Sequence, residues 1–215
     1  MTSRQRRRLI SIVCFAVVIG FFLYLQYQQS QRPSFGPQIH NNITCGVHCG
    51  TQRWLVKTLS DADVASINFS PRPATVTWLT SQPAQSPLPA DSRVAPLELQ
   101  AFTVRAQLIA IKEESDRDFH LVLTDPANPS TTMIAEIPSS ECSGACSSRY
   151  ASSFESARTA LESRFGVPPT TAFQDVPGTV IVDVTGIAFF DFPHSQRGVA
   201  PNAIELHPVL SIHFE

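Results

Sequence analysis

The chain has 215 residues, of which 43% are apolar, 16% are charged and 17 are prolines, enough for one substantial core and a small satellite but not for two large domains or a wholly disordered chain. Its formal charge of -2 hides an asymmetry, because four arginines (Arg4, Arg6, Arg7, Arg8) precede the first apolar run. From Leu97 onward seven basic residues face fifteen acidic ones, a balance that repels phosphate backbones and argues against general nucleic-acid binding.

Leu9 to Leu25 is an uncharged run of seventeen residues, about 25 Å long as a helix and so at the lower end for crossing a bilayer. The arginines ahead of it predict a cytoplasmic amino end. Residues 1–8 then read as a basic cytoplasmic tail and 9–27 as a signal anchor in the lipid bilayer, with everything downstream delivered to the periplasm or cell exterior. Gln26 to Ser34 offers no A-x-A-like cleavage site, which favours an uncleaved anchor over a removed signal peptide. Residues 28–48 are polar and carry Pro33 and Pro37, as expected of a tether.

Cys14 lies in the anchor, leaving Cys45, Cys49, Cys142 and Cys146 for the exported part. An even number of cysteines in an oxidising compartment predicts two disulfides, with three possible pairings. Zinc held by four thiolates is the alternative, with His48 as a substitute ligand, although structural zinc sites usually use tighter C-x2-C knuckles. Free thiols are a third possibility. A bridge from the first pair to the second closes a loop of about ninety residues, worth roughly 4 kcal/mol in the chain-entropy account.

Residues 49–96 form a proline-rich segment expected to pack on the core. Arg53 to Val64 predicts a strand or turn followed by a helical start capped by Ser60. Six prolines between Pro71 and Pro96 exclude a central strand or a long helix, and Trp78 marks a brief apolar turn that docks on the core. Residues 97–215 are expected to be the main domain. Alternation from Leu97 to Ala110 predicts a long strand with a register shift near Gln100. After a charged turn at Lys112 to Arg117, strands follow at Phe119 to Thr124 and Thr132 to Ile137. Ser152 to Phe165 reads as a helix, with Ser152 and Glu155 as its capping box and Gly166 and Pro168 at its close. Two more strands, Thr179 to Phe192 and Ala203 to Phe214, complete the set. Three strands, a helix and two strands predict a mainly β fold, an OB-like five-stranded small barrel behind the N-terminal transmembrane helix. A β-sandwich or an SH3-like barrel does not ordinarily place its single helix there.

Four segments, C-G-T-Q-R-W-L-V-K-T-L-S-D (49–61), D-F-H-L-V-L-T-D (118–125), M-I-A-E-I-P (133–138) and G-V-A-P-N-A-I-E-L-H-P-V-L (198–210), together resemble a family of uncharacterised bacterial exported proteins. The resemblance spans roughly Cys49 to Phe214 and implies an exported protein; no activity comes with it. Members typically carry a glutamate where this chain has Gln52. They also show single cysteines corresponding to Cys49 and Cys142, so the joint presence of Cys45 and Cys146 favours bridges between the two pairs over local ones.

Phosphate loops, nucleophile elbows, H-E-x-x-H and C-x-x-C motifs are absent from the sequence. The polar candidates are His120, Glu136, Asp191, His194, Glu205 and His207, which strands of a small barrel can bring to one surface. Asp191, His194, Asn202, Glu205 and His207 form the expected binding set, centred on the loop between the last two strands. Asp118 and Asp125 bracket a strand and are expected to cap turns. The clustered Phe189, Phe190 and Phe192 are expected to pack in the core rather than stack bases. The sequence thus favours a non-catalytic binding module for an envelope protein, saccharide or cation, with no cofactor. The alternative is a metal-dependent phosphoester hydrolase using His120, Asp191, His194 and His207.

Overall fold

The computed structural model describes residues 45–46, 48–193 and 195–215. The basic tail, the proposed anchor, most of the tether and His194 lie outside the described residues. Among those described, no helix is long and apolar enough to cross a membrane.

The protein is mainly β with one main helix. Seven strands form one sheet: β1 (Asn68–Ala74), β2 (Gln100–Glu113), β3 (Phe119–Asp125), β4 (Asn128–Ile137), β5 (Gln174–Asp175), β6 (Ile181–Phe190) and β7 (Ile204–Phe214). Their order is β1-β2-β3-β4-β7-β6, and β6 pairs back onto β2, so β2, β3, β4, β7 and β6 make a closed ring of five. The long β2 makes closure possible: its first half pairs antiparallel with β6 (Ala101↔Ile187 to Gln107↔Ile181) and its second half with β3 (Gln107↔Thr124 to Glu113↔Phe119). β4 and β7 join in parallel through Ile134↔Glu205 and Ala135↔Leu206. At Gly186 the β6–β7 register shifts, and a Cβ there would stand 2.8 Å from the Pro208 carbonyl oxygen; only glycine allows that approach.

The alternation read in β2 survives as burial of Phe102, Val104, Ala106, Leu108 and Ala110. β3 is different, with every residue from Phe119 to Asp125 buried, so its His120, Thr124 and Asp125 require partners inside the protein. The main helix, α3 (Ala151–Phe165), lies between β4 and β5 in the chain, packs chiefly on β7 and buries Ala151, Phe154, Ala157 and Leu161. It starts at Tyr150 without a side-chain cap. The expected capping box does not form, because Glu155 instead accepts a 2.5 Å bond from the Ser140 hydroxyl. Gly166, at φ 76°, closes the helix.

The amino-terminal segment holds two short helices, α1 (Trp54–Lys57) and α2 (Val76–Thr80), and a 3-10 turn, Ala62–Ser66, capped by Asp61 rather than Ser60. β1, with Pro71 and Pro73, runs parallel to β2 at the sheet edge, where missing N–H groups cost no ladder bond. Two disulfides, Cys45–Cys146 and Cys49–Cys142, fasten this segment to the loop after β4 and accord with an oxidising compartment. Two buried ion pairs add to them. Arg53 and Glu98 meet through two bonds of 2.7 and 2.8 Å, and Arg93 grips Asp61 at 2.7 Å. Glu98 also accepts from the backbone N–H groups of Val94 and Phe190, so this buried charge is fully satisfied.

Candidate functional site

A polar centre sits where α1, the β2–β3 turn, β3, β4 and β7 meet. Register builds it. His120 on β3 lies opposite Glu136 on β4, and Ile134 of β4 pairs with Glu205 of β7, which places His207 two residues further along the same face. Glu136 is the hub: its Oε1 is 3.1 Å from His120 Nδ1 and its Oε2 is 3.0 Å from His207 Nδ1. His207 Nε2 is 3.2 Å from Asp118 Oδ2, and Glu205 Oε2 is 3.8 Å from His207 Nδ1. All five residues are buried, with His120 and His207 wholly so.

His120 is well satisfied, its Nδ1–H donating to Glu136 and its Nε2–H to the Arg197 carbonyl at 3.0 Å. With Glu136 ionised both partners are acceptors, which favours the imidazolium form. Burial opposes that charge, but the Glu136 contact and the Arg197 carbonyl outweigh it and raise the pKa. His207 differs. Its contacts are short but misaligned: neither ring nitrogen, nor Asp118 Oδ2, nor Glu205 Oε2 completes a hydrogen bond. Such buried, unsatisfied groups are costly. Asp118, Glu136 and His207 each offer one ligand atom within 4.8 Å of the others, the donor types and spacing a divalent cation requires.

Burial and the neighbouring carboxylates set the remaining charges. Burial works against ionised Glu136, yet His120, His207 and Lys57 hold its pKa well below the usual carboxylate value. Burial, with Glu136 and Asp191 nearby, raises that of Glu205. Asp116 is pushed up to about 6 by burial and by Asp118 and Glu136. Burial opposes protonation of His207, but contacts with Asp118, Glu136 and Glu205 drive its pKa well upward. Burial likewise disfavours the Lys57 ammonium, which the carboxylates of Glu136, Asp191, Glu205 and Asp118 nevertheless keep charged. Lys57 Nζ lies 3.2 Å from Asp191 Oδ2 and 5.5 Å from the centre of the Phe189 ring, with the Arg53 guanidinium 4.7 Å from the same ring.

A pocket of about 230 Å³ opens onto the centre; Lys57, Asp116, Glu136 and Asp191 line it together with Trp54 and Gln196. Asp118 and His207, both wholly buried, are not part of that lining.

Of the expected binding set, Asp191, Glu205 and His207 belong to this centre, and His120 joins them through Glu136. Asn202 does not: its Nδ2 donates to the carbonyls of Leu79 and Gln82, so it anchors the end of α2. Asp125 does cap a turn, accepting from Ala127 N–H, and it also accepts from Thr77 N–H. Asp118 caps the loop after β4 through Ser139 N–H while its second oxygen faces His207, a double role that turn chemistry alone does not reveal. Lys57 and Asp116 went unnoticed as well. The one signal for Lys57 was a lysine inside an otherwise apolar helical start. Phe189 and Phe190 are buried and offer no stacking platform.

No family model, no curated protein and no solved structure matches the chain.

Proposed function

We propose that residues 45–215 form an OB-like domain, held outside the cytoplasm by the apolar segment at 9–27, that binds a divalent cation through Asp118, Glu136 and His207. Numbering the ring strands in chain order gives 1-2-3-5-4-1, with α3 between the third and fourth, an order that supports the OB-like reading. The two disulfides and the resemblance to bacterial exported proteins support an envelope location. The observation that carries the cation reading is His207, buried and within 3.2 Å of carboxylates on both sides without one aligned hydrogen bond.

Charge agrees. Leaving aside the mutually paired Lys112 and Glu114, five carboxylates (Asp116, Asp118, Glu136, Asp191, Glu205) face three cationic groups (Lys57, His120, His207), an excess of two negative charges if all are ionised. A divalent cation bound through neutral His207 releases the ring proton and removes one of the two excess charges. Two carboxylates and an imidazole suit Zn²⁺, a borderline ion, or the harder Mn²⁺ better than Ca²⁺, which takes more oxygens.

Thermal melting of chelator-treated protein tests this reading. At about a hundredfold excess over Kd, a specific ion adds roughly 2.7 kcal/mol, about 5–11 °C in Tm for a domain of this size. His207→Gln and Asp118→Asn should abolish the shift. If no divalent ion moves the wild-type Tm, or if both variants respond like the wild type, the assignment is wrong.

A further inference from the structure

We infer that a separate cavity, where β1 and α2 meet β2, is a binding site for an anion with a long apolar body, such as an aliphatic carboxylate. It is a cleft of about 620 Å³ walled by Trp78, Leu97, Leu99, Phe102 and Phe190, with Arg72 among them. That volume lies within the roughly 300–1,000 Å³ of clefts that hold small molecules.

Strand register and the placement of α2 build it. Arg72 on β1 pairs with Phe102 on β2, and Trp78 of α2 tilts against Phe102 with ring centres 5.8 Å apart. Phe102 and Phe190 are buried, whereas Trp78 stays 43% exposed and Val94, Leu97 and Leu99 are half-buried. An indole and three aliphatic side chains left partly wet in one cleft gain from an occupant that covers them.

Charge and hydrogen bonding select that occupant. The wall carries one charge, and it is positive. Glu98, between Leu97 and Leu99, turns away to Arg53, with its side chain wholly buried. Neither the Arg72 guanidinium nor the Trp78 indole N–H has a partner among the described residues. The amides of the wall are engaged already: Gln82 Nε2 donates to the Trp78 carbonyl at 2.9 Å, Gln85 Nε2 to the Pro83 carbonyl at 3.0 Å and Gln100 Nε2 to the Ser70 carbonyl at 2.9 Å. The free donors therefore suit an oxyanion, while the engaged amides leave few partners for a sugar. From Leu97 onward acidic residues outnumber basic ones fifteen to seven, so an unopposed guanidinium beside apolar surface gives this cleft a charge opposite to that of the domain around it.

The probe is decanoic acid carrying a diazirine near its methyl end, irradiated with the full chain in lipid nanodiscs; labelled peptides are read by mass spectrometry. Label should fall on Trp78 or on residues 94–102, saturate, and be displaced by decanoate. Methyl decanoate, the same chain without the charge, should compete about tenfold more weakly, and Arg72→Gln should weaken decanoate to a similar degree, with Arg72→Lys recovering part of the loss. Arg72 is exposed and its guanidinium serves no internal contact, so neither variant should move the Tm. Label confined to lipid and residues 9–27, label in the cleft that decanoate does not displace, or equal competition by acid and ester would each overturn the inference. Asp118, Glu136 and His207 do not line this cleft, so every one of these outcomes leaves the cation reading where it stands.

Discussion

The two disulfides should not contribute independently to stability. Cys49–Cys142 spans 93 residues and Cys45–Cys146 spans 101, so in the chain-entropy account either alone restrains the unfolded chain by about 4.7 kcal/mol. They run side by side, however. Once one has formed, the other closes only the short circuit of residues 45–49 and 142–146, a loop of roughly ten residues worth about 2.7 kcal/mol. Replacing either pair by serine should therefore cost about 2.7 kcal/mol, whereas replacing both should cost about 7 kcal/mol, leaving a coupling of about 2 kcal/mol. Equilibrium guanidinium unfolding of the wild type, the two double variants and the quadruple variant, without reductant, measures all four corners of the cycle. If the quadruple variant loses only the sum of the two double variants, the loop-closure reasoning is wrong.

Arg53→Met should destabilise the protein by about 3–5 kcal/mol, because Glu98 would keep its backbone donors but lose the bidentate guanidinium that neutralises it; a loss below about 1 kcal/mol by urea unfolding would contradict this reasoning. Asp125 carries a pH dependence: burial alone would raise its pKa, but bonds from Thr77 and Ala127 outweigh this and lower it below 3.8. A depressed folded-state pKa means the contribution is complete above the unfolded value and lost as pH falls through the folded one. The stability gap between wild type and Asp125→Ala should accordingly hold from neutral pH to about pH 5 and narrow below pH 4; a gap that widens with acid contradicts the assignment.

The sequence made the ring strands legible because each carries an uninterrupted apolar set bounded by proline, glycine or charge. The edge strand β1 escaped notice, since Pro71 and Pro73 suppress the strand signal wherever a ladder bond is needed, and here none is. Ser152 and Glu155 fit a local capping motif, but Ser140 takes up the Glu155 carboxylate through a tertiary contact that no local pattern records. His120, Glu136, Glu205 and His207 could be gathered by strand parity, which brings residues on neighbouring strands to one face. Lys57 and Asp116 join them only through the packing of α1 and the β2–β3 turn against that face, and no periodicity records such packing. Asn202 stands apart for the converse reason: it adjoins the site in the chain, yet its amide serves the carbonyls of Leu79 and Gln82.

Closing the five strands on themselves has a bearing on how this protein behaves in company. Every ring strand already has a neighbour on each side, though β4 meets β7 only at Ile134 and Ala135, so among the described residues the edge strand of the sheet is β1. Two of its seven positions are prolines, which have no amide hydrogen to offer an incoming strand. Crowded against copies of itself, the folded domain therefore gives fibril-like growth little to build on.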